Sequence, residues 1–269
     1  MTQATAMFRM PLWGAKPPAG SPEDDFRPWL EVYLVDTGVP RGAVLICPGG
    51  GYMMRAPHEA APIAQCYNAA GFHAFVVHYR VAPHRHPAPL LDASRALRLI
   101  RYHATGWQVD PAHIAVCGFS AGGHLAGSLG VHFDLPILNT GDALDEVDNR
   151  PDALILCYPV ISSSQVCGHR GSFTNLLGPT PDPELLAFMS LEDQVTPQTP
   201  PTFLWHTADD QVVPVQNSLV FAEALARQRV PFELHIYPHG PHGLGLAETD
   251  PHIATWSALS IEWLRGMNW

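Results

Sequence analysis

The sequence predicts an α/β protein with a mostly parallel central sheet, helices on both faces of that sheet, and no large cap domain. Short apolar runs typical of buried strands alternate with longer segments of helical spacing along the chain. Hydrophobic residues make up 46% of the 269 residues and charged residues only 15%, as expected where strands are buried on both faces. No Ser/Gly linker and no block of charge divides the chain, which favours one domain.

The N-terminal residues 1–28 are predicted to form an irregular surface arm that belongs to this same domain. They contain several prolines and a short acidic run, which interrupt regular structure. The main body, residues 29–269, begins with an alternating segment at 29–35 that predicts an edge strand. Residues 43–47, AVLIC, are all apolar and predict a buried strand.

The rest of the main body continues the alternation of strands and helices. Short apolar or alternating runs predict further strands at 72–79, 114–117, 153–160, 202–206 and 232–237. Apolar residues at helical spacing predict helices at 57–70, 90–104, 217–228 and 252–265, and another that begins at Ser120. Residues 161–201 contain only short helical pieces between prolines, and a stretch of that length within a domain is typical of a lid or binding segment.

Charge and cysteine usage exclude several classes of function. The net charge of −10 disfavours nucleic acid and anionic membranes as partners, since both select basic surfaces. Five cysteines without paired spacing predict neither a disulfide framework nor a zinc site, and we expect no other metal. The first twenty residues lack the apolar core of a secretory signal, and no segment is apolar enough to cross a bilayer. We therefore expect a cytoplasmic protein.

The segment Gly118-Phe119-Ser120-Ala121-Gly122 matches the pattern G-x-S-x-G between a predicted strand and a predicted helix. A serine in that context sits on a sharp turn, where flanking glycines avoid collisions and the hydroxyl projects from the sheet. Glycine-flanked serines also occur by chance in ordinary turns. The strand before and the helix after favour a nucleophilic serine.

Three successive glycines follow the buried strand 43–47, in the segment Pro48-Gly49-Gly50-Gly51-Tyr52. Glycines let the backbone approach another group closely and turn its amides outward, as an oxyanion hole requires. The alternatives are a flexible loop tip or a phosphate-binding loop. The pattern G-x-x-x-x-G-K-[ST] of a phosphate loop does not occur here.

A nucleophilic serine needs a base, and the base needs an orienting acid. In α/β sheets such groups gather beyond the carboxyl ends of strands. Asp209 and Asp210 follow the strand 202–206, although adjacent acids are also common in turns. His239 and His242 follow the last strand, and His242 lies in a constrained loop between Pro241 and Gly243. The order Ser, Asp, His agrees with the α/β-hydrolase order.

Four segments carry a family resemblance: PGGGY at 48–52, GFSAGGHLA at 118–126, HTADDQVVP at 206–214 and HGPHGLGLA at 239–247. Together they resemble α/β-hydrolase esterases, above all the small bacterial esterases related to hormone-sensitive lipase and acetyl-xylan esterases. The resemblance covers the chain from about residue 29 onward. It implies the α/β-hydrolase fold, with 29–269 as the catalytic domain and 161–201 as a short irregular lid.

By this resemblance Ser120 is the nucleophile, Asp210 of the pattern D-x-x-V-P is the acid, and His242 is the base. The oxyanion donors are the amides of Ala121 and of Gly49 or Gly50. Relatives of hormone-sensitive lipase carry H-G-G-G where this chain has Pro48 before its glycines, so the support that their histidine gives the loop is missing here. P-G-G-G is usual among the acetyl-esterase relatives.

The resemblance implies a serine carboxylesterase without metal or organic cofactor. Its partner would be a small-molecule ester with a short acyl group, above all acetyl, on an acetylated sugar or xylo-oligosaccharide. Tyr52 and Tyr158 follow strand ends and are candidates for lining the pocket or for packing beneath loops. The alternative functions are a peptidase or formamidase on the same fold, and a non-catalytic binding protein that keeps the fold.

Overall fold

A computed structural model describes residues 4–14 and 16–269, in which eight strands form one sheet. The strands are β1 Ala4–Pro11, β2 Trp29–Val35, β3 Arg41–Cys47, β4 His73–His78, β5 Val109–Phe119, β6 Ala153–Cys157, β7 Thr202–Thr207 and β8 Phe232–Tyr237. Their spatial order is β1-β2-β4-β3-β5-β6-β7-β8. Strand β2 runs antiparallel to both of its neighbours, and the pairs from β4 to β8 are parallel.

Helices cover both faces of this sheet. They are α1 Ala61–Ala69, α2 Ala88–Tyr102, α3 Ala104–Trp107, α4 Ala121–Val131, α5 Arg170–Leu177, α6 Pro183–Phe188, α7 Gln216–Arg227 and α8 Thr255–Gly266. Buried residues of α2, α4, α5 and α7 belong to one apolar core, and those of α1 and α8 belong to a second core on the opposite face. The predicted α/β architecture is confirmed.

The central strands show why the sequence contains continuous apolar runs. In β3, Ala43, Leu45 and Cys47 pack into the first core. Val44 and Ile46 point to the opposite face and pack into the second. Each of these side chains is fully buried. A parallel strand between two helical layers has no solvent-facing side, so polar alternation disappears.

The prediction of an irregular arm is wrong for residues 4–11. These residues form β1, which pairs antiparallel with β2 in a register that places Met7 opposite Tyr33 and Arg9 opposite Glu31. Strand β2 is consequently not an edge strand. The local sequence does not indicate β1, because the strand is held by its partner: Met7 is 69% exposed, and the Arg9 side chain reaches the Glu31 carboxylate at 3.3 Å.

The segment 161–201 contains more helix than its prolines suggest. Helices α5 and α6 lie within it, followed by a 3₁₀ turn at Leu191–Asp193. The α5 helix was not predicted, and its N-terminus is capped by the His169 ring, which accepts from the Ser172 amide. Strand β6 ends at Cys157 rather than at residue 160.

Within residues 4–14 and 16–269, no helix has both the length and the hydropathy needed to cross a bilayer.

Candidate active site

Ser120 lies on a tight turn between the end of β5 and the start of α4. Its backbone angles are φ 53° and ψ −119°, outside the regions that a serine ordinarily adopts. The turn is possible because Gly118 and Gly122 pass very close to other backbone atoms: a side chain on Gly118 would collide with the Gly122 carbonyl, and one on Gly122 with the Cys47 carbonyl. The geometry is that expected of a nucleophile elbow.

The Ser120 hydroxyl, the His242 ring and the Asp210 carboxylate form one continuous hydrogen-bonded chain. Ser120 Oγ lies 2.8 Å from His242 Nε2, and His242 Nδ1 lies 2.6 Å from Asp210 Oδ2. If Nδ1–H donates to the carboxylate, Nε2 is free to accept the serine proton. The three residues belong to the turn after β5, the loop after β7 and the loop after β8, so parallel strand ends bring them together.

Asp210 is held in its charged form although its side chain is fully buried. Burial alone would raise its pKa, but hydrogen bonds from the His206 ring, the His242 ring and the Val213 amide together lower it below the ordinary value. Oδ1 accepts from the amides of Val212 and Val213 at 2.8 and 3.0 Å. A carboxylate fixed at both oxygens can orient an imidazole and balance the positive charge that develops on it.

The alternative acid and base, Asp209 and His239, form a separate pair at the surface. His239 Nδ1 lies 3.0 Å from Asp209 Oδ2, and the Gly240 amide donates to Asp209 Oδ1 at 2.8 Å. The His239 side chain is 84% exposed, whereas that of His242 is 14% exposed. Of the two histidines, the one within hydrogen-bond distance of the serine hydroxyl is His242.

The glycine loop supplies fewer free amides than the sequence suggests. The Gly49 amide donates to Glu59 Oε2 at 2.8 Å, so Gly49 is removed from the candidate oxyanion donors because its hydrogen is already used inside the protein. Among the described residues, no acceptor contacts the amides of Gly50 and Ala121. Gly50 has φ +123°, and its carbonyl accepts from the amides of Met53 and Met54, which fixes the turn.

The two tyrosines proposed as pocket residues are both buried, and their hydroxyls are used within the protein. Tyr52 Oη lies 2.9 Å from His124 Nδ1, on the helix that follows Ser120. Tyr158 donates its hydroxyl hydrogen to Glu59 Oε1 at 2.6 Å. Both side chains are at most 2% exposed and no hydroxyl hydrogen remains to be offered to a ligand, so of the two interpretations the structure favours packing beneath loops over lining the pocket.

A cavity of about 600 Å³ lies within the segment 161–201. Its walls combine hydroxyl, amide and guanidinium groups with an aromatic ring, from Ser163, Ser164, Gln165, Arg170, Phe173 and Thr174. Phe173 stands edge-on to the His124 ring, with 5.2 Å between the ring centres. Asn175 Nδ2 donates to the Gly51 carbonyl at 2.8 Å, which fastens α5 to the glycine loop. The segment 161–201 therefore borders the candidate site.

Sequence reasoning missed Glu59 and His206. Glu59 opens a predicted helix, where an acidic residue is ordinary, and its contacts lie 10 and 99 residues away along the chain. His206 ends a predicted strand; its Nε2 lies 2.9 Å from the Val213 carbonyl and 3.4 Å from Asp210 Oδ2. Glu59 stands in no pattern that separates it from the other acids, whereas His206 begins the segment HTADDQVVP, whose proximity to Asp210 is the signal that could have indicated it. In the described part of the chain, no group of His, Cys, Asp and Glu is arranged to hold a metal ion.

Both the sequence and the fold of this chain are similar to those of known proteins. The profile of the BD-FAE family matches residues 30–225, more than half of the chain. The chain belongs to the BD-FAE family. Its similarity to solved structures extends over nearly its whole length. An acetyl ester-xyloside bifunctional hydrolase from Caldicellulosiruptor lactoaceticus is 47% identical to this BD-FAE protein with a TM-score of 0.92, and the match covers 98% of this chain and 96% of that one.

Other relatives of this BD-FAE protein are also named as hydrolases. The carboxylesterase Cest-2923 from Lactobacillus plantarum is 29% identical with a TM-score of 0.81, covering 98% of both chains. An endo-1,4-beta-xylanase B from Butyrivibrio fibrisolvens is 39% identical over 93% of this chain, and an acetylxylan esterase from Xylanibacter ruminicola is 32% identical over 82%. The chain spans only 40% and 45% of the length of these last two relatives.

These similarities confirm two predictions. The fold is that of the α/β-hydrolases, and the resemblance to acetyl-xylan esterases of that fold is confirmed by the family and by the relatives. Several of these relatives are named as esterases or hydrolases, which agrees with the expectation of a carboxylic ester hydrolase.

Proposed function

We propose that this protein is a serine carboxylesterase that removes short acyl groups, above all acetyl, from acetylated sugars or xylo-oligosaccharides. The observation that carries the proposal is the continuous hydrogen-bonded chain from Ser120 through His242 to Asp210. Its supports are the strained turn at Ser120 and the free amides of Gly50 and Ala121. Relatives named as acetylxylan esterase and acetyl ester-xyloside bifunctional hydrolase support the choice of substrate.

The proposed reaction proceeds through an acyl-enzyme. His242 Nε2 accepts the Ser120 proton as Oγ attacks the ester carbonyl, forming a tetrahedral intermediate. The Gly50 and Ala121 amides donate to its oxyanion; removing one such donor typically costs about 3 kcal/mol of transition-state stabilisation. The intermediate collapses as His242 gives the proton to the leaving alcohol. Water then enters, loses a proton to His242, and hydrolyses the Ser120 ester.

Asp210 acts through His242 in this mechanism. The carboxylate holds the imidazole in the tautomer that leaves Nε2 free, and it stabilises the imidazolium that forms during attack. The lowered pKa of Asp210 keeps it ionised throughout the neutral range. Its two hydrogen bonds from backbone amides limit its movement during the reaction.

The lid segment supports a sugar as the leaving alcohol. Its cavity of about 600 Å³ presents hydroxyl, amide and guanidinium groups together with the Phe173 ring. Sugars are bound by such a mixture, because their hydroxyls need hydrogen-bond partners and their ring carbons pack on aromatic faces. The segment 161–201 is too short to form a large cap over the site, so we expect an open cleft in which an extended acyl chain is poorly enclosed.

The test is an activity screen with p-nitrophenyl esters from acetyl to octanoyl, acetylated xylo-oligosaccharides and peptide amides. We expect turnover to fall steeply with acyl length and to be negligible on amides. Ser120→Ala should reduce ester turnover by at least about 10⁴-fold while leaving the thermal unfolding transition in place. A fluorophosphonate probe should label the parent protein at Ser120. Amide cleavage as fast as ester cleavage would favour a peptidase or formamidase, and an unlabelled Ser120 would favour a binding protein.

A further inference from the structure

The buried carboxylate of Glu59 joins the two loops on which the proposed reaction depends. We propose that Glu59 and Tyr158 together act as a positioning unit, the Glu59–Tyr158 tie, which holds the glycine loop and the His242 loop at a fixed separation. The inference rests on the proposed function. It assigns no contact with substrate to either residue.

Glu59 bridges the glycine loop and the end of β6. Its side chain is almost completely buried, with Oε2 accepting from the Gly49 amide at 2.8 Å and Oε1 accepting from the Tyr158 hydroxyl at 2.6 Å. Gly49 immediately precedes Gly50, whose amide is a proposed oxyanion donor. A Cβ on Gly49 would lie 3.0 Å from Ser120 Cβ, so this part of the loop lies directly against the nucleophile.

Tyr158 extends the connection to the loop that carries the base. Its hydroxyl oxygen accepts from the Gly245 amide at 2.8 Å, and its ring stands edge-on to the His242 imidazole with 5.0 Å between the ring centres. The residue before Glu59 adds a second contact: His58 Nε2 lies 2.9 Å from the Gly243 carbonyl. The His242 loop is thus held at positions 243 and 245, just beyond the imidazole.

The chemistry of Glu59 suits a residue that must join two donors. A carboxylate has two oxygens that accept hydrogen bonds, and here one accepts from the Gly49 amide and the other from the Tyr158 hydroxyl. Within the described residues the one basic side chain near this carboxylate is the largely exposed His58, whose Nε2 lies 3.7 Å from Glu59 Oε1. Most of its stabilisation therefore comes from the Gly49 amide and the Tyr158 hydroxyl. In Glu59→Gln the side-chain oxygen can still accept from one donor, but the N–H₂ group faces the other. One of the two hydrogen bonds is therefore lost.

The functional consequence follows from geometry. Oxyanion donors and the base must be placed relative to one acyl group, and a misplacement of about 1 Å can reduce turnover by about 100-fold. Substrate binding in the ground state is less demanding. Loosening the tie should therefore lower kcat while KM changes little.

The experiment compares Glu59→Gln and Tyr158→Phe with two matched variants of buried residues outside the tie. Glu31→Gln alters a carboxylate on β2 that is 7% exposed and contacts Arg9. Tyr67→Phe removes a buried hydroxyl that lies 2.9 Å from Ser260 Oγ. For each protein, kcat and KM on p-nitrophenyl acetate, the rate of fluorophosphonate labelling at Ser120 and the unfolding temperature are measured.

We expect kcat and the labelling rate to fall by about 10- to 100-fold in Glu59→Gln and Tyr158→Phe, with KM within about threefold. The variants Glu31→Gln and Tyr67→Phe should lose unfolding temperature but keep kcat. Because both tie residues share one hydrogen bond, the double variant should lose less activity than the product of the two single losses. If Glu59→Gln does not fold, Tyr158→Phe decides the outcome.

Unchanged kcat in a folded Tyr158→Phe protein would overturn the proposal, as would equal losses in the tie variants and their controls. Failure of the proposed function would look different. In that case the parent protein itself would show neither ester turnover nor labelling at Ser120.

Discussion

Ser120 is kept in its unusual backbone conformation by neighbouring peptide groups. Its amide donates to the Cys157 carbonyl at 3.0 Å, and its own carbonyl accepts from the amides of His124 and Val160 at 3.1 and 3.0 Å. A residue in such a conformation is strained by about 1–3 kcal/mol, and it persists only where surrounding contacts over-determine it. The ladder to β6 and the first turn of α4 provide those contacts here.

The assignment of the acid separates two neighbouring carboxylates. Asp210→Asn should reduce kcat by about 10⁴-fold, because an amide facing His242 favours the wrong tautomer. Asp209→Asn should leave kcat within about twofold, because among the described residues the Asp209 carboxylate hydrogen-bonds only to the exposed His239 ring and the Gly240 amide. Steady-state kinetics on p-nitrophenyl acetate measure both. A larger loss in Asp209→Asn than in Asp210→Asn would exchange the two assignments.

The sequence predicts which candidate site residues follow strand ends. It does not predict which residues far along the chain their side chains and amides contact. Ser120, Asp210 and His242 each stand after a recognisable strand, which made them candidates. Strand position alone does not separate Asp210 from Asp209 or His242 from His239, and the family resemblance made both selections. Whether the Gly49 amide is free depends on Glu59, whose hydrogen bonds no local pattern encodes.

Among the strands and helices, strands that are buried on both faces could be predicted from the sequence. Elements that are held mainly by contact with another element could not. Strands β3 and β5 contain continuous apolar runs because helices cover both of their faces. Strand β1 forms by pairing with β2 and leaves Met7 and Phe8 partly exposed, so its own residues signal little. Helix α5 is short and is followed closely by Pro179, Pro181 and Pro183, so its helical spacing is hard to recognise.

Helix α5 should influence the reaction through its contact with the glycine loop. Asn175→Ala removes the hydrogen bond to the Gly51 carbonyl, and loss of one such bond is worth about 0.5–1.5 kcal/mol. We therefore expect ester turnover to fall by about 2- to 10-fold. The matched control is Asn139→Ala, which removes an amide oxygen that accepts from Arg98. Equal activities of the two variants would show that α5 does not steady the glycine loop.

For the whole molecule, buried histidines predict how stability depends on pH. Burial lowers the pKa values of His124 and His132 to about 4, and it also lowers those of His73 and His86. Unfolding returns each ring to an ordinary value near 6.5. Between about pH 4 and pH 6.5 the unfolded chain therefore binds more protons than the folded protein. The stability these groups contribute is present above pH 6.5 and is lost as pH falls toward 4.

Urea unfolding between pH 7 and pH 5 measures this dependence. Each pKa unit of difference corresponds to about 1.4 kcal/mol, so several such rings should lower the free energy of unfolding by a few kcal/mol. His124→Gln should flatten the curve, because one titrating group is removed. Stability that rises on acidification through this range would contradict the assignment of neutral rings.

Ser120 and His242 stand 122 positions apart along the chain, which has a consequence for its synthesis. During translation the serine hydroxyl emerges before the segment after β8 has been made, and it cannot contact the His242 imidazole until that segment has left the ribosome. In the proposed mechanism, nascent chains that lack this segment hydrolyse no ester. The proposed activity begins only once the last parallel strand has docked, so its appearance would report that the sheet is complete.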